Sequence, residues 1–116
     1  EKYSGDGLHG DSGLRNLNLW LTPDDANLDS DTGGLTFWDR KAPVLEIKDN
    51  PREKSIQILQ DIISEPGTNA LKVPYKGNRA ALFESNIIHS TDTLNFKPGY
   101  ENRRINITFV YGMPDY

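Results

Sequence analysis

The stretch Asn16-Leu17-Asn18-Leu19-Trp20-Leu21 constrains the fold more than any other part of the chain, because leucine recurs at every second position. A period of two marks a half-buried strand, since successive side chains leave a strand on opposite faces. The strand expected over Arg15 to Thr22 therefore has two faces with different jobs. Leu17, Leu19 and Leu21 pack on one side, while Asn16, Asn18, Trp20 and Thr22 point into a barrel. Polar side chains on an inner face need a ligand or each other.

Downstream, Pro23 to Thr32 is rich in Asp, Asn and Ser and reads as a loop, and Gly33-Gly34 opens a second strand, Leu35 to Trp38. Phe37 and Trp38 read as core residues and Thr36 as a pocket contact. Pro43 to Ile47 is a short strand or an extended connection. Asn50-Pro51-Arg52-Glu53 has the order of a helix start: a capping side chain, a proline in the first turn and a Glu three residues after the cap. Ile56, Leu59, Ile62 and Ile63 follow at helical spacing until Glu65-Pro66-Gly67 stops the run. One helix is expected from near Pro51 to near Ser64, its apolar stripe covering the outer face of a sheet. Ala70 to Val73, Arg79 to Glu84 and Arg104 to Tyr111 are further strands between turn residues. The pattern is mainly antiparallel β with one inserted α-helix, a small sandwich or barrel.

At 116 residues the chain suits one domain, 1–116, with a single core. Its apolar share of 35% leaves no run near the roughly 20 residues that a spanning helix needs, and the N-terminus lacks the order of a signal peptide. A soluble, cytoplasmic protein without a membrane partner is the expectation. A net charge of −4 with no basic stripe argues against a nucleic-acid partner, Arg103-Arg104 being only a local cluster. The chain begins at Glu1 with a motif already at position 9, which points to an N-terminally truncated domain.

The chain has no cysteine, so any metal must sit on nitrogen and oxygen ligands. It has two histidines, His9 and His89, and Asp11 follows the first by two positions. In an extended segment such a spacing puts an imidazole nitrogen and a carboxylate oxygen on the same side. A distant histidine then completes three ligands on one face of an octahedron. Two His and one carboxylate, with the other positions open, suit a non-haem Fe(II) that must also bind a cosubstrate and dioxygen. By itself H-x-D is an unspecific pattern.

The order of the remaining features adds to it. His9-Gly10-Asp11, the strand through Asn18-Leu19-Trp20-Leu21, Gly33-Gly34-Leu35, Asn78-Arg79-Ala80-Ala81-Leu82-Phe83 leading to His89, and Arg104-Ile105-Asn106-Ile107-Thr108 follow one another along nearly the whole chain. This layout resembles the Fe(II)/2-oxoglutarate-dependent oxygenase family, prolyl-hydroxylase-like members most of all. The resemblance implies a double-stranded β-helix, that is, a jelly-roll or cupin-like barrel, with His9, Asp11 and His89 as metal ligands. It implies an enzyme that decarboxylates 2-oxoglutarate to succinate and oxidises, commonly by hydroxylation, a C–H bond of a small-molecule or peptide substrate with dioxygen. Members of the family usually carry helices and a core strand before H-x-D, which this chain lacks.

The resemblance also implies a basic residue on the last strand that pairs with the distal carboxylate of 2-oxoglutarate. Arginine suits this role because its planar fork can donate two parallel hydrogen bonds. By alternation Arg104 shares a face with Asn106 and Thr108, and Arg103 shares one with Ile105, Ile107 and Phe109, which favours Arg104. Asn106 sits where some members place a hydroxyl that helps hold the same carboxylate. Asn18 faces the same interior. Trp20 matches a position where an aromatic lines the cosubstrate site, although a core filler fits there equally well. A non-catalytic cupin-like barrel that binds a metal or a small ligand is the rival reading, and Arg104 discriminates, because such a barrel has no need of a carboxylate clamp. The substrate-gripping candidates are the loop Pro23 to Thr32 and the segment Ser90 to Asn102.

Overall fold

The computed structural model describes residues 2–3, 7–44 and 52–113. Eight strands and one α-helix lie among them: β1 (Lys2–Tyr3), β2 (Arg15–Trp20), β3 (Leu35–Lys41), α1 (Arg52–Ile63), β4 (Ala70–Val73), β5 (Ala80–Glu84), β6 (Ile87–Thr91), β7 (Leu94–Asn95) and β8 (Asn106–Tyr111). The strands form two three-stranded antiparallel sheets, ordered β5-β2-β8 and β4-β3-β6, and a short β1-β7 pair. No barrel closes among the described residues, which corrects the expected small barrel. No ladder joins the two larger sheets, and the Ser85-Asn86 turn carries the chain from β5 in one to β6 in the other.

The sheets meet through side chains. Trp20 of β2 and Leu35 and Phe37 of β3 are buried in one cluster with Ala26, Tyr75, Leu94 and Phe96, and Phe83 of β5 packs on it edge-on to Phe37 at 4.8 Å. The alternation in β2 decides which residues enter. Asn16, Asn18 and Trp20 are buried and the leucines between them are not.

Gly33 and Gly34 have separate physical reasons. Gly33 has φ +84°, which a side chain rarely adopts, and a Cβ on Gly34 would collide with the Val73 carbonyl as β3 passes β4. The pairing of Phe37 with His89 turns Phe37 and Leu35 inward. Thr36 therefore faces away from the pocket and donates to Asp92 Oδ1 at 2.6 Å, a correction to its expected role as a pocket contact.

Helix α1 packs against β3 and buries Leu59, with Ile56, Ile62 and Ile63 half-buried on the same stripe. Arg40, on the alternation opposite Leu35 and Phe37, reaches past the helix end to Glu65 and the Pro66 carbonyl. The Asn50 cap, Pro51 and most of the extended stretch over Pro43 to Ile47 lie outside the described residues. The final strand begins at Asn106 rather than Arg104, since a 3₁₀ turn at Tyr100–Asn102 leads into it. Neither proposed gripping segment is wholly loop. Ala26 lies in the core, and Ser90 to Asn102 includes β7 and the buried Leu94 and Phe96.

Among the described residues no helix is long and apolar enough to cross a membrane. Ile88 is fully buried and Leu82 is 69% exposed, which sets up a direct comparison. In urea unfolding, Ile88→Ala should cost about 2–5 kcal/mol, the range for deleting a buried aliphatic side chain. Leu82→Ala should stay within about 0.5 kcal/mol of wild type. Equal costs would show that the buried and exposed positions have been assigned incorrectly.

Candidate metal centre

His9 and His89 exchange two backbone hydrogen bonds, each N–H donating to the other's carbonyl at 3.0 Å. Residues paired in this way project their side chains to the same face. Their imidazole centroids are 4.3 Å apart. Asp11 arrives two positions later with its N–H bonded to the Ser85 carbonyl at 2.7 Å. Gly10 between them has no space for a methyl, because a Cβ there would lie 2.7 Å from that of Ala42. One local register thus brings together ligand candidates from distant parts of the chain.

The three side chains offer ligand atoms that all lie within 4.8 Å of one another, a group that could hold a metal ion. Asp11 Oδ1 is 3.8 Å from His9 Nε2, and Oδ2 is 3.4 Å from His89 Nε2. The donor chemistry fits a divalent cation. His9 Nδ1 lies 2.7 Å from the Gly7 carbonyl and His89 Nδ1 lies 2.8 Å from the Ile87 carbonyl. A carbonyl can only accept, so each Nδ1 carries a proton, and Nε2 is the ring nitrogen turned towards the shared space, where it can serve as a ligand. His89 is buried, with the rings of Phe83 and Phe37 at 4.9 and 5.9 Å. Asp11 and His9 are half-buried and open to the cavity.

That cavity, of about 360 Å³, is lined by the three ligand candidates and by Asn18, Arg104, Asn106 and Thr108, among others. It is of a size that small-molecule sites occupy. Arg104 donates from Nε to the Gly33 carbonyl at 2.6 Å, and its guanidinium lies 5.6 Å from the Trp20 ring and 5.7 Å from that of Tyr75. Arg103 is exposed and lies over Tyr100. Asn106 donates to Thr108 Oγ1 at 2.9 Å. Asn18 is buried, and its Oδ1 has no hydrogen-bond partner among the described residues. Trp20 is not among the lining residues. It is almost completely buried, stacks on Tyr75 at 5.2 Å and flanks Arg104.

Sequence reasoning left two further residues of the site unassigned. Asn16 donates to Asp11 Oδ2 at 2.6 Å, and Ser85 donates to Asn16 Oδ1 at 2.7 Å. The alternation of β2 marks Asn16 as inward-facing, but nothing local to Ser85 signals its partner, which is 69 positions away in sequence. Comparison of the chain with protein-family models, with curated proteins and with solved structures finds no match in any of the three.

The Asp11 carboxyl is held below its ordinary value of 3.8, first by hydrogen bonding to His89. Burial pushes it the other way, and the charges of His89 and His9 and the Asn16 amide add to the lowering. A carboxylate depressed on folding stabilises the fold above its unfolded pKa, and the contribution is lost as pH falls through the folded value. The metal-free protein should therefore lose stability as pH falls below 3.8. Asp11→Asn should flatten that part of the curve. Asp39 and Glu84, also held low, leave a residual slope. Urea midpoints measured across this acid range check the prediction, and identical slopes in both proteins would contradict it.

Proposed function

We propose that the chain is a non-haem Fe(II)- and 2-oxoglutarate-dependent dioxygenase with a double-stranded β-helix core, oxidising a C–H bond of a small-molecule or peptide substrate. The observation that carries this reading is the placement of Arg104 on the same cavity as His9, Asp11 and His89. A site that only binds a metal needs no guanidinium in its wall.

Each residue has a part in this reading. Nε2 of His9, Nε2 of His89 and the Asp11 carboxylate would hold the iron and leave its remaining positions open. When bound, Fe(II) with 2-oxoglutarate and dioxygen supplies the oxidation of the substrate C–H bond, coupled to loss of carbon dioxide from the cosubstrate. Arg104 would pair with the far carboxylate of that cosubstrate. Its hydrogen bond to Gly33 and the flanking rings of Trp20 and Tyr75 hold the guanidinium before a ligand arrives, which lowers the cost of ordering it. Asn106 and Thr108 add polar groups beside it, and the Asn18 amide offers an acceptor to a ligand donor or a bridging water. Phe83 and Phe37 exclude water from the His89 side.

Adding 2-oxoglutarate anaerobically to the Fe(II)-loaded protein should produce the weak visible charge-transfer band of the chelate. Losing one side of a buried charge pair costs on the order of 3–5 kcal/mol. Arg104→Ala should then weaken 2-oxoglutarate binding roughly a hundredfold or more in that titration, with iron affinity nearly intact, since 1.4 kcal/mol is a factor of ten. Arg103→Ala should do much less. A wild-type protein that binds iron but gives no band, or an Arg104 variant that titrates like wild type, would favour a metal- or ligand-binding protein without this chemistry.

A further inference from the structure

We infer that Asn16 and Ser85 form a positioning pair that fixes which oxygen of Asp11 faces the metal and keeps that carboxylate from gripping the ion with both. The inference rests on the reading of His9, Asp11 and His89 as a metal centre and assigns a role to two residues which do not themselves line the cavity.

The polarity of the chain of hydrogen bonds follows from what each group can do. An ionised carboxylate only accepts, so the Asn16 amide must turn its NH₂ towards Asp11 Oδ2, which it meets at 2.6 Å. The amide oxygen then faces Ser85, whose hydroxyl must donate, as it does at 2.7 Å. Ser85 also accepts the backbone N–H of Asp11 at 2.7 Å, so one serine holds the main chain of Asp11 directly and its side chain through Asn16. The result is a closed ring of three hydrogen bonds.

Burial makes this ring selective. Asn16 is 1% exposed and Ser85 is not exposed at all, so water does not compete for either group. Neither residue can let go cheaply, because a buried polar group without its partner bears the full cost of desolvation. Asn16 sits in the centre strand of its sheet, paired with Phe83 on one side and Val110 on the other. Ser85 sits in the turn where the chain leaves that sheet for the one bearing His89. The carboxylate is thereby referenced to both sheets. Oδ2 is taken up by the Asn16 amide at 2.6 Å and faces His89 Nε2 at 3.4 Å, whereas Oδ1 faces only His9 Nε2 at 3.8 Å, so Oδ1 is the oxygen assigned to the metal. A single oxygen from Asp11 keeps three positions of an octahedral ion open, the number that a two-point cosubstrate chelate and dioxygen require together.

Manganese(II) is the probe, since the water-proton relaxation caused by each bound ion scales with the number of exchanging waters on it. Titration of the full chain with Mn(II) gives affinity and relaxation per bound ion in the same experiment. In Asn16→Leu the affinity should fall about 10- to 100-fold, the usual effect of losing a residue that orients a ligand. The relaxation per bound ion should fall to about two thirds, one of three open positions being taken by the second carboxylate oxygen. Ser85→Ala, the milder change, should move both quantities in the same direction by less, because the amide becomes free to turn. Ala26→Gly, in the core away from the site, should move neither.

The relaxation per ion is the readout that a merely structural role would leave alone. If affinity falls in the two variants while relaxation per ion is unchanged, or if neither quantity changes, the positioning role is wrong and the metal centre stands. If Asn16→Leu does not fold, the same two quantities in Ser85→Ala decide. A wild-type chain that binds no Mn(II) and no Fe(II) overturns the metal reading and this inference with it.

Discussion

The pair of backbone hydrogen bonds between His9 and His89 is the constraint on which the site depends. It fixes the approach of an N-terminal segment to β6 and so sets two imidazoles side by side at a centroid separation of 4.3 Å. A slip of one residue would send one ring to the opposite face, because side chains alternate along each strand. Asp11 depends on the same register, since its N–H finds the Ser85 carbonyl only when His9 is seated opposite His89. The backbone therefore brings the three candidate ligands together, and the carbonyls of Gly7 and Ile87 then orient the two rings.

Such a site has a cost in a small protein. Asn16, Asn18, Thr22, Ser85 and His89 occupy buried positions that apolar side chains could otherwise fill. Asn16, Thr22, Ser85 and His89 each have a side-chain hydrogen-bond partner, and in Asn18 it is Oδ1 that lacks one among the described residues, which limits the penalty of removing them from water. The apolar core gathers beside the polar region around Trp20, Tyr75 and Phe96. Arg104 joins the two, with its Nε on the Gly33 carbonyl and its guanidinium close to two core rings. On the other face of the β5-β2-β8 sheet, Ile105, Ile107, Phe109 and Tyr111 remain about half exposed.

Much of this arrangement is legible in local sequence. The alternation of β2 separates buried Asn16, Asn18 and Trp20 from the intervening leucines, and the spacing of Ile56, Leu59, Ile62 and Ile63 marks α1. His9, Asp11 and His89 can be singled out by residue type because cysteine is absent and histidine is scarce. What could not be read depends on pairing between distant segments. The inward turn of Leu35 and Phe37, and so the outward turn of Thr36, is set by the opposition of Phe37 and His89 across β3 and β6. The strand expected to lead to His89, Asn78 to Phe83, is β5; β6, which carries His89, and β7 are not among the expected strands, because each is a short segment whose pairing is set by distant strands. The Ser85 hydroxyl and the Gly33 carbonyl acquire their roles only when residues 69 and 71 positions away fold against them.

The central claim is that two imidazoles and one carboxylate act as a single iron site. Anaerobic calorimetric titration of the full chain with Fe(II) tests it most directly, with Asp11→Ala and His89→Ala titrated alongside. The account predicts one equivalent of Fe(II) per wild-type chain and no binding over the same concentration range in either variant. Wild-type protein that takes up no Fe(II), or variants that bind it as wild type does, would contradict it.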